Sequence, residues 1–438
     1  MEILVVGTGA REHALARTLS LDPSVSAVHA APGNPGIGQH ATLHAVDALD
    51  GAAVAALASS LGVDLVVVGP EAPLVAGVAD AVRDAGIPVF GPSAQAARLE
   101  GSKAFAKEVM AAAGVPTAAA RVATTLDQVA AALDEFGAPH VVKEDGLAAG
   151  KGVVVTDDRD AALAHAEACL AKPGGSVVVE EYLDGPEVSL FVLCDGTDVV
   201  PLVPAQDFKR ALDGDEGPNT GGMGAYSPLP WAPEGLVDEV VETVARPTVA
   251  EMARRGTPFV GVLYCGLALT SRGLRVVEFN ARFGDPETQV VLARLGTPLA
   301  AVLLAAAQGR LAGLDPLHWR ADAAVTVVIA SAGYPGTVRT GDPITGLDAA
   351  DTVPGVHVLH AGTAVRTAQD DPENPENPLN DPLLVSDGGR VLSVVGVGET
   401  LADARRAAYV AVDQVNLADS QHRTDIALAV SQDAGASA

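Results

Sequence analysis

The stretch VVKEDGLAAGKGVVVT, residues 141–156, decides the fold class of the central part of the chain. A P-loop reads GxxxxGK[ST] and leads into a helix. Here three residues separate Gly146 from Gly150, and Lys151 is followed by Gly152 rather than by Ser or Thr. Because β-branched runs of strand length flank the glycines, the stretch predicts a loop that joins two strands. Such a loop can lay backbone amides over phosphate oxygens, but the stretch alone fits a plain hairpin equally well.

The composition indicates a large globular protein. A chain of 438 residues, 48% of them hydrophobic, suffices for roughly two to four domains. Its formal charge of −27 repels polyphosphates, so we expect no nucleic-acid partner and local cations around any anionic ligand. Three cysteines without metal-ligand spacing predict neither a disulfide framework nor a zinc site. Since no basic leader and no apolar run of about 18 residues is present, we expect a cytoplasmic protein without a membrane partner.

The first 92 residues predict a doubly wound parallel sheet, because short apolar runs alternate with Ala-rich segments of helical period. Ligands of such sheets bind at the carboxyl ends of the strands. Three loops are predicted there, GTGAREH at 7–13, APGNPG at 31–36 and GPEAP at 69–73. Glu12 stands where GxGxxG has its third glycine, so we expect a mononucleotide or sugar phosphate rather than a dinucleotide.

The rest of the chain predicts a second α/β unit followed by a mainly β region. One helix is predicted over about 93–115, another near 234–255, and a long charged loop over 205–228. Short strands follow residue 320, and the amphipathic helix LADARRAAYVAVDQV closes the region. The segment 370–382, rich in Pro, Asp, Glu and Asn, is expected to be a mobile surface insertion outside any site.

The stretch VVEFNARFGDPETQ, residues 276–289, carries the strongest chemical signal. Glu278 and Asn280 are two apart on a strand and share a face, so they offer two hard oxygen ligands for Mg²⁺. Arg282 follows on the same face and can stabilise charge on a transferring phosphoryl group. A strand-end salt bridge is the simpler alternative, but three polar groups on one face of a β-rich run would then need buried partners.

Two lysines and one loop add to this signal. Lys103 in LEGSKAF and Lys143 in VVKED are candidates for phosphate binding, although most lysines are merely solvated. If Lys143 faces a phosphate, its strand neighbour Glu144 faces away. The carboxylates of EEYLDGPE, residues 180–187, are a weak signal by themselves. The long loop at 206–228 is uncommon unless it is functional or disordered, and its charges and glycines favour function.

In this order, the motifs resemble the ATP-grasp superfamily and, within it, the glycinamide ribonucleotide synthetase (phosphoribosylamine–glycine ligase) family. The resemblance covers nearly the whole chain and rests on an ordered set that includes REHA, APGN, VGPEAPLVAG, LEGSKAF, DGLAAGKGV, GPNTGGMGAYSP and EFNARFGDPETQ. It implies ATP-dependent ligation of glycine to 5-phosphoribosylamine through glycyl phosphate, the second step of purine synthesis. It also implies Mg²⁺ or Mn²⁺ and a monomer.

The resemblance implies an α/β fold, α+β in part, with three domains and a tail. The domains are an N-terminal α/β domain at 1–101, an ATP-grasp clamp of two α+β subdomains at 102–320 with its lid at about 117–190, and a mainly β C-terminal domain with a closing helix at 321–430. A frayed tail follows at 431–438.

The resemblance also implies roles for individual residues. Those expected to bind ATP are Lys103, Lys143, Gly146, Gly150, Lys151, Glu180, Glu181, Leu183 and Glu187. Those expected to hold the metal are Glu278 and Asn280. Those expected to bind the two other substrates are Gly9, Arg11, Glu12, Gly33, Asn34, Pro70, Glu71, Asp207, Lys209, Arg210, Thr220, Gly221, Gly222, Met223, Arg282, Asp285 and Pro286. Those expected to act in catalysis are Lys143, Arg282 and Asp285, without an assigned general base.

Three departures from the family pattern limit this transfer. Glu144 stands where the family usually has Ala, and GLALTS offers no second metal carboxylate on the strand before Glu278. The insertion at 370–382 is not part of the pattern. The alternatives are another ATP-grasp carboxylate–amine ligase or carboxylase, and a nucleotide-binding module without catalysis. The former would lack the pairing of NTGGMGAYSP with EFNARFGDPE, and the latter would show no glycine-dependent ADP release.

Overall fold

In the computed structural model, which describes residues 1–147, 152–366 and 382–433, the first 92 residues form the predicted parallel sheet. Its elements are β1 (Glu2–Gly7), α1 (Ala10–Ser20), β2 (Ala27–Pro32), β3 (Thr42–Leu43), α2 (Gly51–Leu61), β4 (Leu65–Val68), α3 (Glu71–Val75), α4 (Val78–Asp84) and β5 (Val89–Phe90). The strand order is β3-β2-β1-β4-β5, and all four pairings are parallel. The apolar runs of β1 and β4 are continuous because both faces of the sheet are covered.

The single helix predicted over 93–115 is two helices, α5 (Ala94–Gly101) and α6 (Lys103–Ala113). Ser102 lies between them in an extended conformation, with φ at −146°. Its hydroxyl accepts a hydrogen bond of 3.1 Å from the amide of Phe105, so it caps α6. The prediction of one helix was wrong because this capping residue stops one helix and starts the next. Lys103 thereby becomes the first residue of α6.

The glycine-rich loop joins two strands, as predicted. The elements of this region are β6 (Ala120–Ala123), α7 (Leu126–Phe136), β7 (His140–Glu144), β8 (Val153–Thr156), α8 (Arg159–Leu170) and β9 (Val177–Glu180). They form an antiparallel sheet in the order β6-β9-β7-β8, which we call the lid sheet. Lys143 on β7 pairs with Val153 on β8, so the loop closes this hairpin.

A second antiparallel sheet faces the lid sheet across a cleft. Its strands and the elements around them are β10 (Glu187–Asp195), β11 (Val199–Pro201), β12 (Gln206–Asp207), β13 (Arg210–Leu212), β14 (Glu216–Asn219), β15 (Gly224–Ser227), α9 (Leu236–Val240), α10 (Arg246–Arg254), β16 (Val260–Thr270), β17 (Gly273–Asn280), α11 (Glu287–Arg294) and α12 (Leu299–Ala307). The order is β11-β10-β16-β17. The helix predicted near 234–255 is confirmed as α9 and α10 joined by a π-helical turn at Val241–Ala245.

The long loop predicted over 205–228 contains the short strands β12 to β15. That prediction was wrong because strands of two to four residues, rich in glycine and charge, show no period, and because β15 pairs with a strand about 100 residues away. The remaining elements are β18 (Ala323–Ala330), β19 (Ile344–Thr345), α13 (Leu347–Asp351), β20 (Val356–His360), β21 (Thr363–Arg366), β22 (Leu383–Ser386), β23 (Arg390–Gly398), α14 (Leu401–Val412), β24 (Asn416–Leu417) and α15 (Leu428–Asp433).

The C-terminal strands complete a sheet that begins in the central region. Its order is β12-β15-β18-β23-β20, with β15 antiparallel to β18. This sheet therefore spans residues on both sides of position 320. The predicted mobile insertion, apart from residue 382, and the last five residues of the tail lie outside the described residues. Among the helices that the structure describes, none is long and apolar enough to cross a membrane.

A histidine cluster forms the seam between α1 and β20. The ring of His13 accepts a hydrogen bond of 2.8 Å at Nδ1 from the backbone amide of His360. The two rings lie 5.7 Å apart, and the ring of His40 lies 5.5 Å from that of His13. Burial lowers the pKa of His360 to about 4 and, with the neighbouring histidines adding to the effect, lowers the pKa of His13 well below its usual value.

We expect this seam to make the fold acid-sensitive. A histidine that is neutral in the folded state binds protons only after unfolding, so stability is complete above about pH 6.5 and falls as the pH drops towards 4. Each pH unit in this window costs about 1.4 kcal/mol per histidine. Urea unfolding at half-unit steps between pH 7 and pH 5 measures the slope. The variant His360→Asn should flatten it, and an unchanged slope would contradict this origin.

Candidate functional site

One cleft of about 1060 Å³ lies between the lid sheet and the sheet of β10, β16 and β17. Most of the predicted site residues line it. These are Arg11, Glu71, Lys103, Lys143, Gly146, Glu180, Glu181, Leu183, Glu187, Asp207, Lys209, Arg210, Thr220, Gly221, Glu278, Asn280, Arg282 and Asp285. The predicted ATP-binding residues Gly150 and Lys151 lie outside the described residues.

Glu278 on β17 lines the cleft and interacts there with several cationic side chains. Burial would raise the pKa of Glu278, but four surrounding cations outweigh burial and hold that pKa below its usual value. These cations are Lys209, Lys143, Lys103 and Arg282. Glu278 is therefore ionised and can accept a metal ion.

Glu278 and Asn280 fit a hard divalent cation, because both offer oxygen donors from one strand. Across the described ranges, no group of three or more His, Cys, Asp or Glu side chains could hold a metal by itself. An ion here would therefore take most of its ligands from substrate phosphates and water, as Mg²⁺ commonly does.

Arg282 lies just beyond β17 and is held by two carboxylates. Its Nη2 lies 3.0 Å from Glu100 Oε1, and its Nε lies 3.2 Å from Glu71 Oε2. Burial would raise the pKa of Glu71, but Arg282 and Arg11 outweigh it and lower that pKa. The guanidinium is thus fixed in the cleft between two acids that α3 and α5 supply.

Lys143 shares a buried carboxylate with a second lysine that the sequence analysis missed. Its Nζ lies 3.0 Å from Glu180 Oε2 and donates to the carbonyl of Val277 at 3.1 Å. Lys107 lies 3.2 Å from the other oxygen, Oε1, of Glu180. Burial lowers the pKa of Lys107 to about 8, although Glu180 opposes this. Glu180 therefore fixes the Lys143 ammonium instead of standing free in the cleft.

Glu144 faces away from this cluster, as the strand alternation predicts. Its Oε1 accepts a bond of 2.5 Å from Lys172 near the end of α8. An ion pair this exposed contributes little to stability.

We expect Glu144→Ala to change the KM for ATP by less than about tenfold, or roughly 1.4 kcal/mol, because the side chain lies on the outer face. Its strand neighbour provides the matched control. Lys143→Ala should raise the same KM by more than tenfold, since the Lys143 ammonium lies inside the cleft. Steady-state ADP release measures both, and a larger effect for Glu144→Ala would show that the outer face matters for ATP.

Asp207 and Lys209 bring opposite charges to the rim near β12. Lys209 forms an ion pair with Glu187, which was expected at the ribose. Burial raises the pKa of Asp207 to about 7, with Lys209 opposing and Glu287 and Glu187 adding to the rise. The Asp207 carboxyl can therefore carry a proton near neutral pH.

The TGGMG turn packs directly on the cis peptide between Asp285 and Pro286. Gly222 has a φ of +109°, and a Cβ there would lie 2.4 Å from Pro286 Cδ, so only glycine fits. Thr220 accepts the amide of Gly222 at 2.9 Å. The side chain of Met223 is fully buried, so a substrate contact at this residue would use its backbone and stays a prediction.

Arg390 on β23 donates hydrogen bonds to this turn. One of its nitrogens, Nη1, donates to the carbonyls of Gly221 and Asp285, both at 2.7 Å. Its Nη2 lies 3.3 Å from Asp285 Oδ2. The hydroxyl of Tyr334 accepts the amide of Gly221 at 3.1 Å. Two residues of the C-terminal strands and loops thus complete the cleft wall.

The N-terminal loops meet the cleft through Arg11, whose Nη1 donates to the carbonyl of Phe283 at 3.0 Å. Glu12 bonds Arg11 Nε at 2.5 Å and the amide of Gly9 at 2.6 Å. Asn34 donates to the carbonyls of Thr8 and His360. These side chains join loops in the structure, and the substrate contacts expected of Glu12 and Asn34 stay predictions. The residues Gly9, Gly33, Pro70, Gly222 and Pro286 likewise lie outside the lining of the cleft.

The residues that the sequence analysis missed are Glu100, Lys107, Tyr334 and Arg390. Lys107 carried a signal, because it lies four residues after Lys103 on one helix and so shares its face. Glu100 precedes Lys103 in the LEGSKAF motif but carries no period of its own. Tyr334 and Arg390 reach the cleft only through tertiary contacts.

Three family models match the chain. The phosphoribosylglycinamide synthetase N domain matches residues 1–100, the ATP-grasp (A) domain of the same enzyme matches residues 101–288, and its C domain matches residues 324–429.

Curated relatives and a solved structure are similar over nearly the full length. The phosphoribosylamine–glycine ligase of Streptomyces coelicolor is 69% identical over 429 residues, which cover 98% of this chain and 99% of the relative. That of Leifsonia xyli is 58% identical over 428 residues, with 98% and 99% covered. The crystal structure of the Thermotoga maritima phosphoribosylamine–glycine ligase has a TM-score of 0.81 at 30% identity and covers 97% of this chain and 100% of that one.

Proposed function

The chain belongs to the phosphoribosylglycinamide synthetase family, and we propose that its cleft uses ATP to join glycine to 5-phosphoribosylamine, with release of ADP and phosphate. It is an ATP-dependent ligase of purine biosynthesis with an ATP-grasp domain, which confirms the resemblance in the sequence. The rival activities, a carboxylase or a module without catalysis, lose their support at 69% identity to a phosphoribosylamine–glycine ligase.

The presence of Lys103, Lys143 and Arg282 in one cleft with Glu278 supports this proposal most directly. A phosphoryl group transferred from ATP carries spread negative charge, and positioned cations stabilise it without covalent help. In a chain with a formal charge of −27, such a cation cluster is local and specific.

The family uses ATP and a divalent metal, and we assign Mg²⁺ or Mn²⁺ to Glu278 and Asn280. When bound, the ion neutralises phosphate charge and orients the phosphates. The two side chains supply oxygen donors, and the cations around Glu278 keep it ionised at neutral pH.

The protein itself contributes position and charge. Lys143 and Lys103 hold the phosphates of ATP, and Arg282 draws the glycine carboxylate towards the γ-phosphate. A carboxylate oxygen attacks the γ-phosphorus, and ADP leaves, which forms glycyl phosphate. At the turn of Thr220 and Gly221, the amine of 5-phosphoribosylamine then attacks the carbonyl carbon, loses a proton and displaces phosphate. Exclusion of water protects this reactive acyl phosphate from hydrolysis.

The experiment supplies purified protein with Mg-ATP, glycine and freshly generated 5-phosphoribosylamine and follows ADP. We expect ADP release that requires both glycine and the amine. ADP release without the amine, or none in well-folded protein, would refute the proposal.

A further inference from the structure

One buried carboxylate, that of Glu100, contacts three successive residues at the end of β17. Its Oε2 accepts the backbone amide of Ala281 at 2.7 Å. Its Oε1 lies 3.0 Å from Arg282 Nη2. With the Asn280 amide oriented to satisfy both of its ends, its nitrogen donates to the backbone carbonyl of Phe279 at 3.1 Å and to the same Oε1 of Glu100 at 3.3 Å. A single side chain thus reaches both the proposed metal ligand and the proposed phosphoryl-binding arginine.

This contact joins parts of the chain that are distant in sequence. Glu100 lies in the last turn of α5, 181 residues before Ala281, and its side chain is 7% exposed. Burial raises the pKa of Glu100, although Arg282 opposes the rise. A carboxylate buried in this way is costly unless it is paired and hydrogen-bonded, and here both oxygens accept from protein donors.

Glu100 lines the cleft, but both of its oxygens are used by protein groups at the end of β17. It is therefore placed to hold these groups rather than to bind substrate. The geometry resembles that of outer partners in metal sites, which orient the ligand and are costly to remove. The orientation of the Asn280 amide depends on its neighbours. The backbone carbonyl of Phe279 and the side chain of Glu100 both accept from its nitrogen, and Glu100 is the only side chain of this pair.

We propose that Glu100 is a positioning residue that orients Asn280 and Arg282 together. By accepting from the Asn280 nitrogen, it leaves the amide oxygen as the group presented to a divalent cation. By pairing with Nη2 of Arg282, it fixes the orientation of the whole guanidinium group. This inference rests on the proposed function and adds a residue that couples the metal site to the phosphoryl site.

The test replaces Glu100 by Gln, which keeps the shape but puts an amide nitrogen against a donor. We expect kcat to fall about 10- to 100-fold with the KM for ATP within about threefold, because the lysines are untouched. Binding of Mn²⁺ to the enzyme with a non-hydrolysable ATP analogue, followed by electron paramagnetic resonance, should weaken at least fivefold. The variant Glu100→Asp keeps the charge and should restore part of both.

The matched control is Glu108→Gln on α6, where the carboxylate is exposed and lies 3.9 Å from Arg255. It should leave kcat and Mn²⁺ affinity unchanged. If folded Glu100→Gln keeps either the kcat or the Mn²⁺ affinity of the wild type, or if only its melting temperature falls, the inference is overturned. Failure of the wild type to release ADP with glycine and the amine would instead refute the proposed function.

Discussion

Replacing Glu278 by Gln should lower kcat at least a hundredfold, or by about 2.7 kcal/mol of transition-state stabilisation, and leave the fold intact. The substitution keeps the volume and one oxygen of the side chain. It removes the negative charge with which the cleft cations interact. Lys209, Lys143 and Lys103 would then lose their favourable interaction with the Glu278 charge. An ion bound here would lose its charged protein ligand, and the protein would offer it amide oxygens alone.

Steady-state ADP release with saturating glycine and 5-phosphoribosylamine measures this loss, and circular dichroism verifies the fold. The KM for ATP should rise as well, because the ion is expected to bridge Glu278 and the phosphates. Glu187→Gln provides a comparison at the carboxylate that pairs with Lys209. If Glu278→Gln kept more than a tenth of the wild-type activity, Glu278 would not be the metal ligand, and the metal site would lie elsewhere.

Replacing Arg282 by Met should harm both activity and stability. We expect kcat to fall about 100- to 1000-fold, because a positioned donor to the developing charge is lost. The loss also leaves Glu100 and Glu71 close together without their shared cation. Breaking a buried ion pair on one side typically costs about 3–5 kcal/mol, so the urea midpoint should fall as well.

The double variant Arg282→Met with Glu100→Gln separates the two effects. Removal of the Glu100 charge should restore most of the stability that Arg282→Met loses, whereas the activity of the double variant should stay low. Arg282→Lys should keep stability closer to the wild type than Arg282→Met, yet it cannot bond two carboxylates in fork geometry. If the double variant regained activity, Arg282 would be structural rather than catalytic.

The sequence predicted the fold where a pattern repeats along the chain. The continuous apolar runs of β1 and β4 predicted a parallel sheet, and the β-branched flanks of the glycine-rich loop predicted a hairpin. The break at Ser102 and the strands within 205–228 were missed. A capping side chain competes locally with helix continuation, and a short strand depends on a distant partner rather than on its own residues.

Site residues could likewise be predicted where local spacing marks them, but not where distant contacts place them. Two residues on one strand face, Glu278 and Asn280, could be recognised from their spacing. Glu100 and Arg390 could not, because their roles come from contacts made across more than 100 residues of chain. Asn34 was placed in the site by its motif, yet its amide is used to tie Thr8 to His360.

The sheet in the order β12-β15-β18-β23-β20 has a consequence for dissecting the protein into fragments. A truncation after residue 320 would leave β15 as an open edge, which invites pairing with other chains. It would also remove Tyr334 and Arg390 from the TGGMG turn. The last quarter of the chain is therefore no detachable module, and a gene split at this point should yield halves that work only when they reassemble.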